Sequence, residues 1–278
     1  MGLEHRTALI TGSGRGLGRA MTLGLLEAGA TVIAVERDAD VLADLEREAG
    51  ASGAAGRIRC AQVDLADGAA IDALLEKLRN GPCVDVLVNC AGIGQETIRP
   101  DFATRAIPFW EVDPDRWRGI FAINAEAVFR LCRGLVAGMV RQGFGRIVNV
   151  TTSLETMIRP GMSPYGPSKA ASEALSAIMA KDLAGTGVTV NVLVPGGPAR
   201  TRMMPGVPEH ELIAPDVMVA PLLYLVSDRA KDVTGQRVRA AASDRSAAPA
   251  TAMQQAAAPI AWPGLAGGAA VNSLPPAA

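Results

Sequence analysis

The stretch TALITGSGRGLGRAMTLGLLEAGA, residues 7–30, decides the fold. A short apolar run, TALIT (7–11), passes directly into a glycine-rich turn, TGSGRGLG (11–18), and then into the helical pattern RAMTLGLLEAGA (19–30). Gly12, Gly16 and Gly18 permit a tight turn and a close backbone approach, leaving amide groups and the positive end of a helix facing a pyrophosphate. Ser13, Arg15 and Leu17 belong to the same turn. The spacing is Gly-x-x-x-Gly-x-Gly. A Gly-x-Gly-x-x-Gly pattern cannot start at Gly12 or Gly14, because its last position would hold Leu17 or Arg19. There is no Gly-Lys-Ser/Thr, so this is not a P-loop. The alternative, a glycine turn with no ligand, is disfavoured by the strand before it and the helix after it.

Outward from that turn, short apolar runs alternate with helix-length segments. TVIAV (31–35), RIRCAQV (57–63), VDVLVN (84–89), RIVNV (146–150) and TVNVLV (189–194) read as strands buried on both faces. Helical patterns occupy residues 16–28, 38–49, 67–79, 113–141 and 165–183. This alternation implies an α/β fold, a doubly wound parallel sheet of about seven strands with helices on both faces. The seventh strand is placed at GQRVRA (235–240), after a helix around 215–226. No fixed-period repeat and no polar linker divides the first 240 residues, so residues 1–240 are expected to form a single domain.

Composition narrows the function. The 278 residues carry 27 basic and 28 acidic side chains, a net charge of -1, which gives no electrostatic footprint for nucleic acid. No apolar run approaches the roughly 20 residues that cross a bilayer. Cys60, Cys83, Cys90 and Cys132 lack metal-ligand spacing and no secretory signal precedes the first strand pattern, so they are expected to be reduced thiols in a cytoplasmic protein. His5 and His210 have no partners in a metal-like pattern, and no metal is expected.

A second informative stretch is MSPYGPSKAA (162–171). It sets Tyr165 and Lys169 four residues apart, about one helical turn, so that phenol and ammonium share a face. Free tyrosine has a pKa near 10, and a fixed cation beside it would favour phenolate and bring that value down. Pro167 falls in the first turn, where a missing amide has no partner to lose.

These stretches together resemble the short-chain dehydrogenase/reductase family, from about residue 5 to about residue 240. Four motifs carry the likeness in order: TGSGRGLG, VNCAG (88–92), SPYGPSKAA (163–171) and VPGGPARTRM (194–203). The resemblance implies a Rossmann-like fold and an oxidoreductase that interconverts a secondary alcohol and a ketone with a nicotinamide dinucleotide. It implies that Tyr165 is the general acid/base and that Lys169 also hydrogen-bonds the nicotinamide ribose. Ser153, in NVTTSLETM (149–157), would hold the substrate oxygen. The family serine often lies one residue farther from the tyrosine, where this chain has Thr152; Ser153 is preferred because shortening a loop is easier than replacing the hydroxyl. Alone, the Ser/Thr cluster could equally make turn hydrogen bonds. Asn124, in FAINAEAVF (121–129), matches the asparagine of a water and lysine proton relay, or is a buried, satisfied helix asparagine.

For the cofactor, Glu36 at the end of the second strand favours adenine ribose hydroxyls and repels a 2'-phosphate, whereas Arg37 and Arg15 could pair with that phosphate; the balance favours NAD over NADP. Asp64 and Leu65 resemble the segment near the adenine, with a strand-end helix cap as the alternative for Asp64. Asn89, Ala91 and Gly92 would line the cofactor floor, with Pro195 and Gly196 beyond it and Thr201 touching the carboxamide. Met157, Met162 and Met203 are candidates to line the substrate pocket, although methionines also serve as packing. Arg99, Arg159 or Arg202 could bind a carboxylate or be solvated. The substrate is expected to be a small alcohol or ketone. The same chemistry would also serve a 3-oxoacyl thioester reductase, and a non-catalytic NAD(P)-sensing regulator is the reading from another class.

Relatives commonly form homodimers or homotetramers through helices corresponding to 113–141 and 165–183. Beyond residue 240 the chain is rich in alanine and proline, which favours an extended or partly disordered tail over 241–278. Within it PIAWPGL (259–265) is an apolar island, so that Trp262 could dock on a neighbouring surface or subunit as a subunit-contact arm.

Overall fold

In the computed structural model, which describes residues 2–244 and 246–262, the strand of the opening turn lies inside a single sheet. Thr7–Thr11 (β1) leads into Gly16–Glu27 (α1), Thr31–Glu36 (β2), Ala39–Ala51 (α2), Ile58–Gln62 (β3) and Gly68–Arg79 (α3). Val86–Asn89 (β4) is followed by Pro114–Phe121 (α4), Ala127–Gln142 (α5) and Gly145–Val150 (β5). Then come Leu154–Ile158 (α6), Tyr165–Asp182 (α7), Val188–Val194 (β6) and Val219–Val226 (α8). Gln236–Arg239 (β7), Pro249–Ala256 (α9) and Ala257–Pro259 (β8) end the described chain.

The strand order is β3-β2-β1-β4-β5-β6-β7-β8, parallel from β3 to β7. The order reverses between β1 and β4, which opens a crevice outside the carboxyl ends of the strands. The apolar runs are explained by burial on both faces. In β1, Ala8 and Ile10 face a core shared with α1, α2 and α8, while Leu9 faces the opposite core with α3 and α5.

Two elements depart from the sequence reading. The helix expected over 113–141 is divided: Asp113 caps α4 by accepting from the Asp115 and Arg116 amides, and a π-helical turn, Ala122–Glu126, separates α4 from α5. Asn124 sits in that wider turn, fully buried. Among the described residues the sheet has eight strands rather than about seven, because part of the tail is folded. Pro249 starts α9, which buries Ala252, Met253 and Ala256. β8 then pairs antiparallel with β7 through Arg237↔Ala258, covering the sheet edge. Ile260 packs on Val192 and Val194. Small apolar residues are enough for this role because the surface they cover was already formed by β6 and β7. The rest of the expected extended tail, residues 263–278, lies outside the described residues.

Candidate active site

The glycine turn is bent as its sequence requires, with φ of +65° at Gly12 and +50° at Gly16. A Cβ on Gly18 would fall 1.9 Å from the Gly12 carbonyl oxygen, so the start of α1 packs directly on the turn. A Cβ on Gly12 would lie 2.8 Å from Ala91 Cα, and Thr11 Oγ1 accepts from the Cys90 and Ala91 amides at 3.1 Å, tying the ends of β1 and β4 together. α1 has no side-chain cap, which leaves its N-terminal amides open toward the crevice. Glu36 accepts from the Arg37 amide at 2.9 Å, and Arg15 is ion-paired with Asp38 at 2.5 Å. Asp64 accepts from the Ala66 amide at 2.9 Å, a turn contact; the cap of α3 is Asp67.

One cavity of about 1350 Å³ runs along this edge. It is lined by Gly12, Arg15, Gly16, Leu17 and Gly18, then by Glu36, Arg37, Asp64, Leu65, Ala91 and Gly92. Pro195, Gly196 and Thr201 complete that side, with Thr201 packed so closely on Gly16 that a Cβ there would lie 2.9 Å from Thr201 Cγ2. The space exceeds the roughly 300–1,000 Å³ of an ordinary small-molecule pocket. Open helix amides, glycines at the close approaches and an acidic group ending β2 all fit a dinucleotide. Ser13 and Asn89 do not line the cavity. Ser13 Oγ donates to the Val35 carbonyl at 3.2 Å, and the Asn89 amide points into the sheet to Asn149 Oδ1 at 2.8 Å.

At the other end of the cavity stand Tyr165 and Lys169, both buried on α7. Lys169 Nζ donates to the Val150 carbonyl at 3.0 Å. Burial pulls its pKa from 10.5 down to about 8. Burial pushes the Tyr165 phenol up to about 12, opposed by a hydrogen bond with the Thr152 side chain and reinforced by the charge of Glu96. Lys169 is not among these influences on the phenol, and desolvation of the phenolate is the largest of them. The Cys90 thiol, also pushed up to about 12 by burial, is no candidate nucleophile.

Two neighbouring hydroxyls reach the cavity, Ser153 and Thr152. Ser153 lines the cavity, but its hydroxyl caps α6, accepting from the Thr156 amide at 3.1 Å and lying 2.8 Å from Thr156 Oγ1. Thr152 lines the cavity as well, and its side chain is the group that draws the Tyr165 phenol down. Asn124 lies behind the cavity and grips the loop after β4: Oδ1 accepts from Ile93 N at 3.0 Å, while Nδ2 donates to Ile93 O and Ser168 Oγ, each at 2.9 Å. A Cβ on Gly92 would come within 3.2 Å of Lys169 Nζ and 3.3 Å of Asn124 Oδ1, so the loop passes close to both.

Met162 and Met203 line the cavity; Met157, the buried residue of α6, does not, and its carbonyl lies against Gly166. Arg159 and Arg202 line it as well, whereas Arg99 is paired with Glu111. Trp262 lines the cavity of its own chain. The sequence reading missed Glu96, Glu173 and Arg237. Glu173 had a usable signal, since it continues the four-residue spacing of Tyr165 and Lys169; Arg237 offered only a charge inside an apolar strand pattern.

Comparison with known proteins bears on this site. A family model described as short chain dehydrogenase matches residues 6–212. A 3-oxoacyl-(acyl-carrier-protein) reductase from Thermotoga maritima is 31% identical over 248 residues, covering 85% of this chain and 96% of the relative. A 2-keto-3-deoxy-L-fuconate dehydrogenase from Xanthomonas campestris is 36% identical over 70% of this chain and 59% of the relative. The crystal structure of a gluconate 5-dehydrogenase from Burkholderia cenocepacia, in complex with NADP and tartrate, superposes with a TM-score of 0.73 at 28% identity, covering 86% of this chain and 94% of that one.

Proposed function

The chain belongs to the short-chain dehydrogenase family, and on that premise we propose that it is an NAD(P)-dependent oxidoreductase interconverting a secondary alcohol and a ketone, with Tyr165 as general acid/base. The observation that carries the proposal is the meeting of Tyr165, Lys169 and the Thr152 side chain on the cavity that also holds the glycine turn. When bound, the dinucleotide supplies or accepts the hydride. The buried phenol keeps its proton at neutral pH, so Tyr165 donates to the carbonyl oxygen during ketone reduction. Thr152 holds that oxygen beside the phenol, taking the role expected of Ser153. Lys169 orients the ribose side of the cofactor, and Asn124 fixes the loop that forms the cofactor floor.

NAD is the preferred cofactor in this reading. Arg15, which could meet a 2'-phosphate, is already paired with Asp38, and the Glu36 carboxylate borders the cavity where adenine ribose hydroxyls would lie. The likeness to 3-oxoacyl-(acyl-carrier-protein) reductases over nearly their whole length supports a second reading, reduction of a 3-oxoacyl thioester. A pure NAD(P) sensor is disfavoured, because it has no use for an assembled acid/base pair.

We further place the enzyme in the cytoplasm as a homodimer or homotetramer. All four cysteines are free, no helix among the described residues is long and apolar enough to cross a membrane, and Phe129 on α5 and Ile178 on α7 are exposed on helices that could pair between subunits.

The test is nicotinamide absorbance with secondary alcohols, sugar acids and 3-oxoacyl thioesters, using NAD and NADP in parallel. Tyr165→Phe is expected to lower kcat by at least ~10³ while leaving dinucleotide affinity nearly intact. Full activity in that variant, or binding of dinucleotide without turnover of any substrate, would refute the proposal.

A further inference from the structure

Three successive residues at the end of β5 are each held by buried side chains. Lys169 Nζ donates to the Val150 carbonyl at 3.0 Å, Thr151 Oγ1 donates to Glu173 Oε2 at 2.8 Å, and Arg237 Nη2 donates to the Thr152 carbonyl. Thr152 and Tyr165 line the same cavity, and the Thr152 side chain is the group that draws the raised phenol pKa of Tyr165 back down. Tyr165, Lys169 and Glu173 lie one turn apart along α7, and the face they share meets the strand end at Lys169 and at Glu173.

The deepest of these contacts is an ion pair. Glu173 is 0% exposed and Arg237 6%, and Arg237 Nη1 reaches Glu173 Oε2 at 2.8 Å and Thr151 Oγ1 at 3.3 Å. Arg237 thereby spends one nitrogen on the pair and the other on the Thr152 carbonyl. The second carboxylate oxygen, Glu173 Oε1, accepts from the Ala261 amide at 3.2 Å, so the chain after β8 closes over the pair. Burying two charges carries a desolvation cost that apolar residues of the same size would avoid, which makes stability alone a weak reason for this arrangement.

We propose that Glu173 and Arg237 are positioning residues: they fix the Thr152 hydroxyl against Tyr165, and the segment through Ala261 locks them in place. This rests on the reading of Tyr165 as the acid/base. Arg237 acts through geometry that lysine cannot copy, since a single ammonium does not span the Glu173 carboxylate and the Thr152 carbonyl as the planar fork does.

The experiment uses two variants of the full-length chain, Arg237→Lys and the double variant Glu173→Leu/Arg237→Leu, which removes both charges and avoids stranding either one. Each is made in a Tyr224→Phe background labelled with 3-fluorotyrosine, so that Tyr165 alone gives the fluorine resonance, and Thr152→Val in that background is the reference. The expected result is a melting temperature within a few degrees of the parent for Arg237→Lys, an unchanged Kd for the dinucleotide, and a kcat lower by roughly 10- to 100-fold in both variants. In both, the Tyr165 resonance moves toward its position in Thr152→Val. A folded variant with parental kcat and a parental resonance would overturn the proposal, as would a kcat loss that follows the melting temperature while the resonance stays in place. The fluorine shift reads positioning without turnover. Absence of turnover in the parent, or full activity in Tyr165→Phe, would instead refute the assigned function.

Discussion

Thr152 and Ser153 are adjacent hydroxyl residues whose roles separate only once the helix after them exists. A serine placed before a short helix is drawn into capping it, and Ser153 does so for α6, while the Thr152 side chain acts on the Tyr165 phenol. Spacing alone could not divide them, because α6 has only five residues and no amphipathic pattern to announce it. Thr152→Val is therefore expected to lower kcat by about 10²-fold, and Ser153→Ala by at least tenfold less while costing about 1 kcal/mol of stability as a lost cap. Steady-state kinetics with urea melts checks this, and the reverse order of kcat losses would return the role to Ser153. Lys169 gives a pH prediction. Its folded pKa of about 8 lies below the unfolded value of 10.5, so between those values the unfolded chain binds more protons and stability rises with pH. Below pH 8 the whole penalty is present, about 3 kcal/mol at ~1.4 kcal/mol per pKa unit. Lys169→Met strands the Val150 carbonyl at a cost of about 1 kcal/mol, leaving a net gain of about 2 kcal/mol at pH 7. Urea melts are expected to show that gain at pH 7 and its reversal by pH 10, alongside loss of turnover. A variant less stable than the parent at pH 7 would contradict the sign.

At the scale of elements, the strands and their order of use were largely legible. Runs such as TVIAV and TVNVLV are apolar because each strand is covered on both faces, and β2 and β6 stand where those runs predicted them. What the pattern could not show is a layer of buried polar groups within the same strands. Asn149 on β5 accepts from Asn89 on β4 at 2.8 Å and donates to Ser176 on α7 at 2.8 Å, so a sheet position that looks like a break in hydrophobicity joins three elements. This is why Asn89 serves the scaffold rather than the cavity floor. The π-helical turn at Asn124 was hidden for a related reason, since inserting a wide turn leaves the apolar periodicity on either side intact. Asn149→Ala is expected to destabilise the protein by about 2–4 kcal/mol, from two lost hydrogen bonds that leave the Asn89 amide only its weaker contact to Cys132 Sγ, with little change in dinucleotide affinity. Urea unfolding with dinucleotide titration separates the two effects. A stability loss below ~1 kcal/mol would mean that the layer is not a structural tie.

Across the whole molecule, the site is assembled from segments as far apart in sequence as Gly12 and Trp262, and composition misjudged the second of these. An alanine- and proline-rich tail lacks bulk for a core of its own, yet it needs none when it folds onto an existing sheet edge. α9 covers one face, β8 closes the edge at β7, Ile260 seats on β6, and Trp262 reaches the cavity of the same chain. The segment up to Trp262, expected as part of a subunit-contact arm, lines the candidate cavity of its own chain. Comparing a chain ending at Trp262 with one ending at Ala256 isolates residues 257–262. Burial of Ile260 is worth roughly 1.5–3 kcal/mol. Loss of the β7–β8 pairing and of the Ala261 amide contact to Glu173 adds to that loss. At about 2–4 °C per kcal/mol for a domain of this size, the shorter chain is expected to melt roughly 5–10 °C lower. Because Trp262 borders the cavity without belonging to the glycine turn, KM for the substrate is expected to rise severalfold while dinucleotide Kd stays within about twofold. Scanning calorimetry and steady-state kinetics on the two truncated chains check both parts. Equal melting temperatures would detach the segment from the fold, and equal substrate KM values would remove Trp262 from the substrate wall.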